Sequence, residues 1–133
     1  MQEYLQKAKA ARLVLSQTSG KMRNDVLFAM ATALRGEGAL ILDPNRKDML
    51  YAQEKSLSTA MLDRLLLNEA RIEKMAQSIE TIAGLTDPLG RILDGWTLPN
   101  GLQIQKVTIP IGVIGVIYES RPNVTFDIAA LCI

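Results

Sequence analysis

Residues 109–125 constrain this chain more than any other stretch: Ile109-Pro110-Ile111-Gly112-Val113-Ile114-Gly115-Val116-Ile117-Tyr118-Glu119-Ser120-Arg121-Pro122-Asn123-Val124-Thr125. The first ten residues are almost unbroken apolar sequence, rich in β-branched side chains. Such a run suits a strand buried on both faces, as in a parallel sheet. At Glu119 the chemistry changes abruptly to Glu, Ser, Arg, Pro and Asn. Ligands of open α/β sheets bind beyond the carboxyl ends of the strands, so a polar cluster there marks a site. Val113 to Tyr118 is therefore expected to be a buried strand. Asn123 or Thr125 is expected to cap a helix running from Phe126 to Ile133. Gly112 and Gly115 are expected to allow close backbone approach, but they lack the strand–turn–helix setting of a dinucleotide-binding loop. One buried parallel strand is not stable alone, because both faces and both edges need cover. The chain is thus expected to be a fragment or to need a partner.

The sequence before this stretch reads as helical scaffold. Tyr4, Ala8, Ala11 and Leu15, with Leu5 beside them, give an amphipathic helix from about Gln2 to Gln17. Ser19 is a candidate N-cap for the next helix, whose stripe is Val26, Leu27, Met30, Ala33 and Leu34, with Gly36 as its stop. Ala39 to Leu42 leads into Asp43-Pro44, where a break or restart is expected. Helix resumes from Lys47 to Glu54, and Leu57-Ser58-Thr59 turns into a short segment at Ala60–Leu65. Asn68 caps a further helix, with Glu69 in its first turn. Its buried face is Ile72, Met75, Ala76, Ile79, Ile82 and Ala83, and Gly84 ends it.

Beyond a turn at Asp87-Pro88-Leu89-Gly90, Arg91–Leu98 and Leu102–Ile109 read as strands joined by Pro99-Asn100-Gly101, a strong hairpin signal. The inward phase of the second strand flips after Lys106, which implies a bulge or a change of packing environment. Pro110 confines that point to a strand end or edge. Two readings of the hairpin stand: an ordinary hairpin within the subunit, or one that projects and pairs with a partner subunit.

Composition excludes several classes. With 133 residues, 48% of them hydrophobic, the chain can build one small core. Lys and Arg number 15 against 14 Asp and Glu, so no basic nucleic-acid surface is indicated. Without histidine and with a single cysteine, the chain supplies no Cys/His zinc site, internal disulfide or histidine-based triad. That one cysteine fits a reducing compartment. The start shows no signal-peptide pattern and the apolar runs fall short of a membrane span, so a cytoplasmic location without a membrane partner is expected. Cys132 sits beside Ala129 and Leu131 on the terminal helix, which predicts a buried, inert thiol.

Ile-Gly-Val-Ile-Gly-Val-Ile-Tyr-Glu-Ser-Arg-Pro-Asn-Val-Thr resembles the signature of the γ-glutamyl phosphate reductase family, in the aldehyde dehydrogenase superfamily. Lys55-Ser56-Leu57-Ser58, Ala60-Met61-Leu62-Asp63-Arg64-Leu65 and Asp87-Pro88-Leu89-Gly90 agree with it in the same order. The resemblance covers the whole chain but only the amino-terminal part of the family's length. It implies an α/β, aldehyde dehydrogenase-like fold, here incomplete. Residues 1–86 would be the helical part of the cofactor-binding domain. Residues 87–110 would be oligomerisation strands, and residues 111–133 the first strand and helix of the Rossmann-like domain. It implies NADPH-dependent reduction of L-glutamate 5-phosphate to L-glutamate 5-semialdehyde in proline biosynthesis. A homo-oligomer and association with glutamate 5-kinase are implied as well. The nucleophilic cysteine would lie downstream, leaving this chain without a catalytic residue of its own and inactive alone. Two alternatives stay open: the reductase part of a bifunctional pyrroline-5-carboxylate synthase, against which the start at Met1 argues, and a truncated non-catalytic interaction module.

Arg121 offers fixed donors to a carboxylate or phosphate at a helix start, or else forms a structural salt bridge with Asp127 or Glu119. Spacing alone leaves both open, and the resemblance favours substrate binding. Asn123 is either a plain N-cap or a donor to a developing oxyanion. Superfamily members carry an asparagine in that role near here, and Arg121 or Asn123 takes its place. Tyr118, Glu119 and Ser120 correspond to the segment that lines the nicotinamide cofactor. Glu119 would bond a ribose hydroxyl or pair with an arginine.

Overall fold

The computed structural model describes residues 2–119 and 121–133. They form α1 (Gln2–Ser16), α2 (Gly20–Gly36), α3 (Gly38–Glu54), α4 (Thr59–Leu65), α5 (Glu69–Ala83), β1 (Ile92–Thr97), β2 (Gln103–Val107) and α6 (Pro122–Leu131). The chain divides into two compact units. One comprises the residues up to Thr18 with Thr86–Gly115, the other Ser19–Leu85 with Val116–Ile133.

The larger unit holds the core. Leu27, Ala31 and Leu34 of α2 meet Ile72, Met75, Ala76, Ile79 and Ala83 of α5, joined by Leu67 and by Ala130 of α6. Val26 and Ala33 of the expected α2 stripe face outward, and Ala31 packs in their place. Alanine at the α2–α5 contact lets the two backbones approach, and Ala31 and Ala76 are both fully buried. The expected caps are present: Ser19 Oγ accepts from the Met22 amide at 3.2 Å, and Asn68 Oδ1 from the Arg71 amide at 2.8 Å. Ser58 caps α4 in the same way, accepting from Met61.

Pro44 does not break the chain. α3 runs through it from Gly38 to Glu54. Pro44 and Leu40 are both exposed, so the helical bond that the proline removes is lost on the solvent side. The next residue holds the helix in place. Asn45 is buried, donates to the Leu65 carbonyl at 2.8 Å and accepts from the Leu67 amide at 2.8 Å. Across the α2–α5 pair, Arg35 bonds both Glu73 (2.8 Å) and Glu80. Glu80 and Glu73 hold the guanidinium pKa above its ordinary value, and Arg35 in turn holds both carboxyls below theirs.

The smaller unit contains α1 and the hairpin. β1 and β2 pair antiparallel, with Trp96 opposite Ile104. Gly101, at φ +86°, closes the turn, where Asn100 Oδ1 accepts from the Leu102 amide at 3.1 Å. The register shifts between Ile92 and Asp94, opposite Val107 and Lys106. The bulge indicated by the phase flip is thus present, with its extra residue on the first strand. Gly112, at φ +107°, adopts a backbone that favours glycine, and a Cβ there would meet Arg12 Cδ at 3.4 Å. A Cβ at Gly115 would meet nothing, so no close approach occurs there.

Three expectations for the carboxyl-terminal stretch are corrected: the buried strand, the start of the last helix and the burial of Cys132. Val113–Tyr118 joins no ladder among the described residues and is exposed, Ile117 fully. A strand of this kind is buried by neighbours on both edges and faces, and the hairpin is the sheet that these residues form. The last helix begins at Pro122, not Phe126, with Arg121 as N-cap. Proline at N1 needs no amide donor and is preorganised for the first turn. Asn123 and Thr125 are therefore helical residues, not caps, and Cys132, the C-cap, is exposed.

Candidate functional site

In the larger unit, the end of α4, the outer face of α5 and the first turns of α6 surround an open groove of about 540 Å³. That volume is of the size that holds a small metabolite. Pro122 fixes where α6 starts, which places Arg121 and Asn123 at the groove's edge and Asp127 one turn further in. Lys74 and Ser78, four residues apart on α5, face them, with Arg71 one turn before.

Partners of the charged groups separate structure from opportunity. Arg71 donates to the Asp63 carbonyl, to the Leu66 carbonyl at 2.8 Å and to Asp63 Oδ1 at 2.6 Å, which ties down the α4–α5 connection. Arg64 lies 3.5 Å from Glu119. Arg121 pairs with neither Asp127 nor Glu119, so the salt bridges expected as its structural role are not formed. Asp127 accepts from Ser78 Oγ at 3.1 Å and, at a long 3.5 Å, from Asn123 Nδ2. The side chains of Arg121 and Lys74 form no hydrogen bond or ion pair among the described residues. Arg121 is also exposed at the amino end of a ten-residue helix, whose first amides and dipole favour an anion.

The sequence-derived cofactor segment is brought beside this groove in part. Tyr118 Oη and Thr125 Oγ1 lie 2.8 Å apart, and Glu119 is the partner of Arg64. Ser120 lies outside the described residues. The Glu119 side chain is 77% exposed and loosely held, so an acceptor position is open for a hydroxyl. Its negative charge suits a ribose hydroxyl and repels a phosphate. No group of three His, Cys, Asp or Glu side chains able to hold a metal occurs among the described residues. No helix among them is long and apolar enough to cross a membrane.

Sequence reasoning missed Arg64, Lys74 and Ser78 and saw Asp127 only as a salt-bridge partner. The spacing of Arg71, Lys74 and Ser78 along one face of α5 was a readable signal. Their meeting with Asp127, 49 residues after Ser78, was not.

No protein-family model matches the chain. Curated γ-glutamyl phosphate reductases do. That of Sulfurimonas denitrificans is 58% identical over 132 residues, covering 99% of this chain and 32% of the relative. That of Paramagnetospirillum magneticum is 52% identical over 128 residues, 96% of this chain and 30% of the relative. The crystal structure of the Thermotoga maritima γ-glutamyl phosphate reductase superposes with a TM-score of 0.95 at 40% identity, covering 97% of this chain and 31% of that one. The Saccharomyces cerevisiae enzyme gives 0.87 at 36% identity, with coverage of 95% and 32%. The chain therefore spans about a third of the length of its relatives, and its fold matches the amino-terminal part of those structures.

Proposed function

We propose that this chain is the amino-terminal part of a γ-glutamyl phosphate reductase, and that the whole protein reduces L-glutamate 5-phosphate to L-glutamate 5-semialdehyde with NADPH, releasing phosphate, in proline biosynthesis. The observation that carries this reading is the segment Glu119–Thr125 set in a chain that is 58% identical over 99% of its length to such a reductase. The groove supports it, with an uncommitted guanidinium at a helix start beside open volume.

In this reading Arg121 binds an anionic group of the substrate, its planar fork matching a carboxylate or phosphate. The α6 amides add positive potential at the same place. Asn123 donates to the oxyanion of the reacting carbonyl, exchanging its 3.5 Å contact with Asp127 for one to substrate. Tyr118, Glu119 and Ser120 line the nicotinamide side, with Glu119 accepting from a ribose hydroxyl. When bound, NADPH supplies the hydride. Cys132 is not assigned as the nucleophile. It lies at the opposite end of α6 from Arg121, about 17 Å away at 1.5 Å per residue. We propose further that the enzyme is a cytoplasmic homo-oligomer, that strands 87–110 contribute to its interface, and that it associates with glutamate 5-kinase.

The test is phosphate-dependent reduction of NADP by L-glutamate 5-semialdehyde, the reverse reaction, with the full-length protein. Activity is expected, and Arg121→Lys, which keeps the charge but loses the fork, is expected to lower kcat/KM by about tenfold. An inactive full-length protein overturns the activity, and an unchanged kcat/KM in the variant overturns the role of Arg121.

A further inference from the structure

Of the charged groups lining the groove, Arg71 pairs with Asp63, and Arg64 has Glu119, from outside the groove, at 3.5 Å. Three remain without an opposite charge among the described residues: Lys74, Arg121 and Asp127. Asp127 is half-buried, and its two neighbours, Ser78 and Asn123, are neutral. A carboxylate has about four acceptor positions, so two donors leave room for a third. The uncompensated pattern is thus two cations and one anion around an open volume. Its complement is a small molecule with two anionic groups and one cationic group.

We propose that Asp127 binds the α-ammonium group of an α-amino acid substrate, while Lys74 and Arg121 take its two anionic ends. The proposal rests on the reductase reading above and deepens it by saying how the enzyme tells an amino acid from the corresponding diacid derivative. Ser78 then positions Asp127: its hydroxyl fixes Oδ1 and turns the remaining lone pairs toward the groove. A site built to bond a charged donor disfavours the analogue that lacks it, because the carboxylate's charge is then left uncompensated.

The experiment compares L-glutamate 5-semialdehyde with glutarate semialdehyde, which lacks the amino group, in the phosphate-dependent reverse reaction of the full-length enzyme. The wild type is expected to prefer the amino acid by tenfold or more in kcat/KM. Asp127→Asn keeps shape and loses charge, and it is expected to shrink that ratio about tenfold by lowering turnover of the amino acid alone. Lys74→Gln, at an exposed position, is expected to raise several-fold the KM for both aldehydes or the KM for phosphate, whichever anionic end it holds, and to leave the aldehyde ratio in place. Should Asp127→Asn not fold, Ser78→Ala is expected to narrow the same ratio several-fold. An unchanged ratio in Asp127→Asn or Ser78→Ala overturns the proposal, as do unchanged KM values for the aldehydes and for phosphate in Lys74→Gln. No turnover of either aldehyde by the wild type defeats the reductase reading itself, a result distinct from all of these.

Discussion

Asn45 shows how much one side chain decides. It is 5% exposed, and its amide satisfies the carbonyl of Leu65 at the end of α4 and the amide of Leu67 in the link to α5. Asn45→Ala strands both groups, and denaturant unfolding is expected to show a loss of about 1–3 kcal/mol. Arg35 carries a different kind of prediction. Glu73 and Glu80 have carboxyl pKa values below their ordinary 4.5 because Arg35 bonds them. A carboxyl depressed in the folded state stabilises it fully above the unfolded pKa, and that stabilisation is lost as pH falls through the folded value. Stability is therefore expected to fall as pH drops below about 4.5, and Arg35→Gln to flatten the slope there, measured by thermal melts at several pH values. Residues of these two kinds were not readable in advance. Asn45 finds its partners 20 and 22 residues away, and Arg35 meets Glu73 and Glu80 across 38 and 45. Caps were readable, because Ser19 and Asn68 act on their own next turns.

At the scale of elements, α5 is central: it packs on α2, α3 and α6 and presents Ile79, fully buried. Ile79→Ala is expected to cost about 2–5 kcal/mol, read from the midpoint of urea unfolding, since neighbours on three sides limit collapse into the void. The face of α5 was legible from periodicity because Ile72, Met75, Ala76 and Ile79 recur at i, i+3, i+4 and i+7 without interruption. The hairpin was legible from Asn100-Gly101. Pro44 misled, and Pro122 was not read as a helix start. Pro44 sits on an exposed flank, where the missing helical bond faces solvent, and Pro122 sits at N1, where no bond is missing. The groove was only partly legible, since Arg121 and Asn123 are two residues apart in sequence whereas Lys74 and Ser78 reach them through the packing of α5 on α6.

For the whole molecule, the exposed apolar residues set the behaviour. Ile109 is 77% exposed, Ile111 89% and Ile117 fully. Unpaired backbone beside such side chains is a template for association. The 133 residues on their own are expected to self-associate and to bind a hydrophobic dye, by sedimentation velocity and fluorescence. A monodisperse monomer at micromolar concentration that binds no dye contradicts this. Strand burial was the expectation least accessible to sequence, because it depends on neighbours that these residues do not supply.

The two units are also interleaved: the chain passes between them at 18/19, 85/86 and 115/116. On the ribosome this sets a schedule. Residues 19–85 are continuous and can gather α2–α5 as soon as they emerge, whereas α1, made first, belongs with residues 86–115 and must wait for them. Leu5, Leu13 and Val14 are exposed in the finished structure as well, so α1 offers a chaperone an apolar face before and after those residues arrive.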